Sequence, residues 1–107
     1  MTYDISQDSI SDSLNTKLIG NYVVYLDSVE STMDIAADLA IQGVAEGTIV
    51  IAEEQIKGRG RFDRTWMSPS GKNLYMSLIL YPDMRYLHQI SMMCAVSIVD
   101  TLSSILA

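Results

Sequence analysis

A stretch with no charge and no polar alternation, Thr48-Ile49-Val50-Ile51-Ala52, leaves the chain few ways to fold. Its β-branched residues hold χ1 stiffly and pack well on a pleated strand, and a strand with no polar face must be covered on both sides. The preceding segment supplies one cover. Ile35, Leu39 and Ala36, Ala40 recur at helical spacing, Ser31 followed by Asp34 has the form of a helix start, and Gly43 stands where a helix would stop. A helix is expected over 31–42. Upstream, Tyr22-Val23-Val24-Tyr25-Leu26 is β-branched and aromatic and reads as a strand ended by Asp27 and Ser28. The order is β-α-β.

The rest of the chain extends this layer. Ser9 to Leu14 reads as a short first helix, and Leu74 to Tyr81 as a further strand stopped by Pro82-Asp83. Tyr86 to Leu106 is expected to be a long helix, with Leu87, Ile90, Cys94, Ile98, Leu102 and Ile105 at helical spacing. Together these give an α/β (α+β) fold class, a mixed β-sheet flanked by helices with at least three strands and two long helices. At 107 residues the chain is one small domain at most, and common enzyme domains run larger, so a partial domain is expected. Between Glu53 and Asn73 the periodicity vanishes and Gly58, Gly60, Pro69 and Gly71 appear. A long loop is expected there, and loops of that length in compact domains are commonly functional.

Charge singles out the same stretch. The net charge of −6 argues against nucleic acid as a partner, but it hides an asymmetry. Residues 1–54 carry ten acids against Lys17, whereas residues 55–75 carry Lys57, Arg59, Arg61, Arg64 and Lys72 against Asp63. Positive charge gathered in one short segment points to an anion there. Gly58-Arg59-Gly60-Arg61 with Arg64 sets three guanidinium forks on a backbone whose glycines permit close approach, which suits a carboxylate, a phosphate or both. Spacing alone leaves a solvated basic loop and a nucleic-acid arm open. Trp66 beside the arginines would either stack on a nucleotide base or fill a small cluster under the loop.

Several chemistries find no support. Asp63 breaks the Gly-x-Gly-x-x-Gly fingerprint, and there is no phosphate-loop Gly-Lys-Ser/Thr. His88 is the sole histidine and lies at the start of the last helix with no nucleophile motif. One histidine and one cysteine offer no ligand set, so no protein-built metal site is expected. Cys94 is read as a small core side chain, and Glu53 and Glu54 as ion-pair partners of the basic loop. The apolar run Met92–Val99 is interrupted by Ser97 and followed by Asp100, short of the roughly 20 residues of a membrane helix. The N-terminus has neither the positive flank nor the apolar run of a secretory signal. A cytoplasmic protein without a membrane partner is expected.

Read in order, Glu30-Ser31-Thr32-Met33, Glu46-Gly47-Thr48, Ala52-Glu53-Glu54-Gln55, Gly58-Arg59-Gly60-Arg61, Arg64-x-Trp66, Ser68-Pro69 and Gly71-x-Asn73-Leu74-Tyr75-x-Ser77 form one pattern. From about Asn15 to Pro82 it resembles the catalytic domain of biotin protein ligase. The resemblance implies a two-step reaction. Biotin and ATP, the latter with Mg²⁺, give biotinyl-5′-adenylate and pyrophosphate, and the biotinyl group then passes to a lysine of a biotin carboxyl carrier protein. Carried over by motif, Ser31, Thr32, Met33 and Gln55 would bind biotin, with Arg59, Gly60 and Arg61 around its carboxylate and the acyl phosphate. Arg61, Arg64, Trp66 and Asn73 would meet the adenylate and ATP, and Gly58, Tyr75 and Ser77 would complete the pocket. The cations agree with that chemistry, since a carboxylate and a polyphosphate repel each other until neutralised.

Three departures from the family pattern stand out. Met33 replaces a frequent asparagine, exchanging an amide for an adaptable apolar contact, and Asp63 stands where glycine is frequent, adding a negative charge among the arginines. A Lys-Trp-Pro-Asn-Asp segment typical of the family is not among the 107 residues. Residues 1–107 are therefore read as the N-terminal part of a single catalytic domain whose C-terminal half is absent, and no DNA-binding domain is expected. The alternatives are a non-catalytic biotin- or adenylate-binding subunit, an incomplete piece needing a second half, and a lipoate ligase-like protein. The Arg-Arg-x-x-Gly-Gly stretch expected of the last does not occur.

Overall fold

The computed structural model describes residues 10–11, 14, 16–59, 65–68 and 73–106, with backbone alone for 58–59 and 65–68. Strands β1 (Val23–Val29), β2 (Ile49–Arg59), β3 (Thr65–Ser68) and β4 (Tyr75–Leu78) form one mixed sheet. Helix α1 (Thr32–Ile41) joins β1 to β2, and a 3-10 turn at Met84–Tyr86 leads into helix α2 (Leu87–Leu106). Of the helix expected at Ser9–Leu14, Ile10 and Ser11 are helical, Leu14 is not, and residues 9, 12 and 13 lie outside the described residues.

β2 is the central strand. It runs parallel to β1 from Val23↔Ile49 to Val29↔Gln55. Its other edge is shared. β4 lies antiparallel along the first half, from Ile49↔Leu78 to Ala52↔Tyr75, and β3 along the second, from Gln55↔Ser68 to Arg59↔Thr65. β3 and β4 therefore share one edge of β2, β4 beside Ile49–Ala52 and β3 beside Gln55–Arg59.

The long loop expected between Glu53 and Asn73 is in large part strand. The side-chain pattern turns polar after Ala52, but the backbone ladder needs no apolar side chain: β1 continues beside it through Ser28↔Glu54, and β3 closes the opposite edge. A register shift between Gln55 and Gly58 marks a bulge in this hairpin.

The central strand is buried as its composition requires. On one face Val50 packs with Ala36 and Ile79, surrounded by Leu26, Ile35, Leu39, Ala40 and Val44, so α1 covers this side. On the other, Ile49 and Ile51 pack with Val23, joined by Ile10, Tyr25 and Leu78. Ser31 caps α1, its hydroxyl accepting from the Met33 N–H at 3.2 Å. The joint before β2 is closed by Gly47, whose N–H donates to the Ile79 carbonyl and whose carbonyl accepts from the Gly20 N–H, both at 2.8 Å. Asp83 opens the 3-10 turn by accepting from the Arg85 N–H at 2.9 Å and from its guanidinium, which holds the exposed carboxyl below its ordinary range.

α2 differs from expectation. Its length is as the spacing predicts, but of Leu87–Leu106 only Ile90 is half-buried and the rest are exposed, Cys94 among them. The helix packs mainly against the turn before it, and its apolar arc is left exposed. Cys94 is thus not a core side chain in this chain. Together with the turn, α2 makes a segment of 23 residues, Met84–Leu106, long and apolar enough to cross a membrane by length and composition alone. The shorter run Met92–Val99 did not reveal this.

Candidate functional site

The parallel register places Gln55 beside the end of β1, and the chain turns there into α1. Thr32, the first residue of the helix, and Ser31, its cap, are buried, at 4% and 3% exposure. The Thr32 N–H donates to Gln55 Oε1 at 2.9 Å, and the Thr32 hydroxyl lies 3.1 Å from the same oxygen. Thr32 Oγ1 is also 2.9 Å from Ser77 Oγ, on β4 opposite Val50. Four predicted site residues, Ser31, Thr32, Gln55 and Ser77, are therefore one contiguous cluster built from β1–α1, β2 and β4.

The cluster is polar and neutral. The first N–H groups of α1, which at many helix starts face an anion, are occupied here: Thr32 N–H by Gln55, Met33 N–H by Ser31 Oγ. None of the four side chains carries a charge. Such a surface selects a neutral group that can exchange hydrogen bonds, with the anionic part of a ligand left to groups elsewhere.

The basic residues expected to meet an anion follow Gln55 in the chain. Gly58 pairs with Trp66 and Arg59 with Thr65 across β2 and β3, so the backbone that carries Gly58, Arg59 and Trp66 rises from the end of the strand that holds Gln55. Gly60, Arg61 and Arg64 lie outside the described residues, as do Asp63 and the side chains of Arg59 and Trp66. Met33 is placed one residue past the cluster but is 63% exposed, so it stands at the rim. Asn73 and Tyr75 form a separate pair, the Asn73 amide donating to the Tyr75 hydroxyl at 3.3 Å, where β4 begins opposite Ala52.

Two supports escaped the sequence. Glu53 accepts a hydrogen bond from the Tyr25 hydroxyl at 2.8 Å, a cross-strand contact that the residue pattern does not announce. Lys57 is braced against Glu30, its N–H donating to the Glu30 carbonyl at 2.7 Å and its ammonium 3.7 Å from the Glu30 carboxylate. Both couple β1 to β2 beside the cluster, and both depend on the parallel register, which no local pattern discloses. Among the described residues no three His, Cys, Asp or Glu side chains gather to hold a metal ion.

The model of the biotin/lipoate A/B protein ligase family matches residues 25–106 of this chain. The chain belongs to that family. It is 38% identical over 98 residues to the bifunctional ligase/repressor BirA of Bacillus subtilis, covering 90% of this chain and 30% of that protein. With the human biotin–protein ligase the identity is 33% over 98 residues, covering 87% of this chain and 14% of the human protein. Among solved structures, biotin protein ligase from Leishmania major in complex with biotinyl-5-AMP is 43% identical, covers 52% of this chain and 22% of that one, and has a TM-score of 0.48. The chain thus spans less than a third of the length of these relatives. The match takes in α2, which makes that helix part of the ligase domain.

Proposed function

We propose that this chain carries the biotin-recognition part of a biotin protein ligase, whose reaction is ATP-dependent formation of biotinyl-5′-AMP and transfer of biotin to a lysine of a biotin carboxyl carrier protein. The observation that carries the reading is the neutral Thr32–Gln55–Ser77 cluster at the root of the Gly58-Arg59 hairpin. Biotin has that division of chemistry, with an uncharged ureido ring at one end and a carboxylate at the other.

In this reading Ser31, Thr32, Gln55 and Ser77 hold the ring and Met33 lies along its edge. Arg59, Gly60 and Arg61 receive the carboxylate and, with Arg64, Trp66 and Asn73, the adenylate; Gly58 and Tyr75 shape the pocket. In the first step a biotin carboxylate oxygen attacks the α-phosphorus of ATP and pyrophosphate leaves. In the second the carrier lysine amine attacks the acyl carbon and AMP leaves. Mg²⁺ enters with the ATP phosphates as part of the substrate. Membership of a family that spans biotin and lipoate leaves both acids open, and the names of the similar proteins together with the missing Arg-Arg-x-x-Gly-Gly stretch favour biotin. A cytoplasmic site of action fits a carrier-protein substrate.

The test is biotin-dependent exchange of labelled pyrophosphate into ATP by the purified chain, alongside calorimetric titration with biotin. Exchange above a no-biotin control establishes an adenylation site within these residues. Biotin binding without exchange assigns the chain the binding role alone. No binding by folded chain refutes both.

A further inference from the structure

The polarity of every hydrogen bond in the cluster follows from one backbone group. The Thr32 N–H can only donate, so the Gln55 atom 2.9 Å from it is the amide oxygen and not the nitrogen. That oxygen can only accept, so the Thr32 hydroxyl, 3.1 Å away, spends its single proton on it. Thr32 Oγ1 then meets Ser77 Oγ at 2.9 Å with lone pairs alone, and the proton between them comes from Ser77. Ser77 is left with lone pairs to offer and no proton. It is half-buried, whereas Thr32 is buried, so the open end of this chain of bonds is the serine.

We propose that Thr32 is a positioning residue that makes Ser77 an obligate hydrogen-bond acceptor, so that the ligand group seated against Ser77 must bring an N–H donor. This rests on the reading of the site as the biotin pocket, where the donor is a ring N–H of the ureido group. A carbonyl or ether oxygen in the same place would face a lone pair. Turning the Ser77 proton toward it would strip the buried Thr32 oxygen of its donor, at a cost comparable to a hydrogen bond, and the site therefore rejects such a ligand by about five- to tenfold. Within this relay Gln55 is the fixed acceptor that starts the sequence.

The experiment is calorimetric titration of the full chain with biotin and with its cyclic carbonate analogue, in which oxygen replaces both ureido N–H groups. Wild type is expected to prefer biotin. Ser77→Ala and Thr32→Val are each expected to reduce that preference about five- to tenfold. The double variant should show no further loss, and Thr32→Ser, which keeps the hydroxyl, should retain the preference. Circular dichroism accompanies each variant, and Ser77→Ala carries the test if Thr32→Val does not fold. Wild type that binds biotin, with a preference Ser77→Ala leaves unchanged, overturns the polarity relay and leaves the biotin reading standing. A folded wild type that binds no biotin overturns both.

Discussion

Gly47 shows how far one residue can commit a joint. Its φ is +91°, and a Cβ there would lie 2.1 Å from the Leu18 carbonyl oxygen. The backbone cannot step aside, because its N–H and carbonyl are bonded to Ile79 and Gly20 on either side. Gly43 has nearly the same geometry, φ +79°, but open space where a Cβ would go. The two substitutions separate conformational cost from collision. Gly43→Ala is expected to cost about 1 kcal/mol, the left-handed penalty alone, and Gly47→Ala more than about 3 kcal/mol. Urea unfolding of the two variants measures the difference, and equal costs would mean that the segment around Leu18 yields freely. Both glycines were legible in the sequence as punctuation. Leu18 as the collision partner was not, because that contact joins segments far apart in the chain.

At the scale of elements, the apolar run around Val50 led directly to a central strand, and Ser31 with its following helix was readable from cap and spacing. Ser31, Thr32, Gln55 and Ser77 could be named from motif, but their contact depends on the register Val29↔Gln55 and Val50↔Ser77, which is set by packing rather than by local sequence. The same register hid the outer half of β2. Residues 53–59 look like loop because their side chains are polar and charged, yet their backbone continues the strand, beside β1 as far as Gln55 and beside β3 from Gln55 to Arg59. The weight of the sheet accordingly rests on the inner half of β2, where Val50 has 0% exposure between α1 and β4 neighbours. Val50→Ala removes two buried methyl groups and leaves a gap that α1 cannot wholly fill, at an expected cost of about 2–3 kcal/mol. Val24→Ala, at a half-buried position of β1, should cost less than half as much by the same denaturant titration. A ranking the other way round would place the core elsewhere.

For the molecule as a whole, the sheet with α1 and helix α2 are held by different means. β2 is fastened by two ladders and two apolar faces, while α2 has 20 residues, packs mainly on the preceding turn, and leaves Met92, Val96, Val99, Leu102 and Ile105 each at least half exposed. An isolated helix of that length is marginal in water, since nucleation is costly and most helical stability in proteins comes from packing of an apolar face. The family match takes in this helix, and an apolar arc of this kind ordinarily faces a packing partner. Amide hydrogen exchange on the dilute chain should therefore show two classes. The amides of Ile49–Ala52 are expected to exchange only through global opening, and those of Ser91–Leu106 at least about 100-fold faster through local fraying. Uniform strong protection across α2 at low concentration would refute this, since it would require a packing partner within the chain. Protection that appears only as concentration rises would instead place the cover on a second molecule.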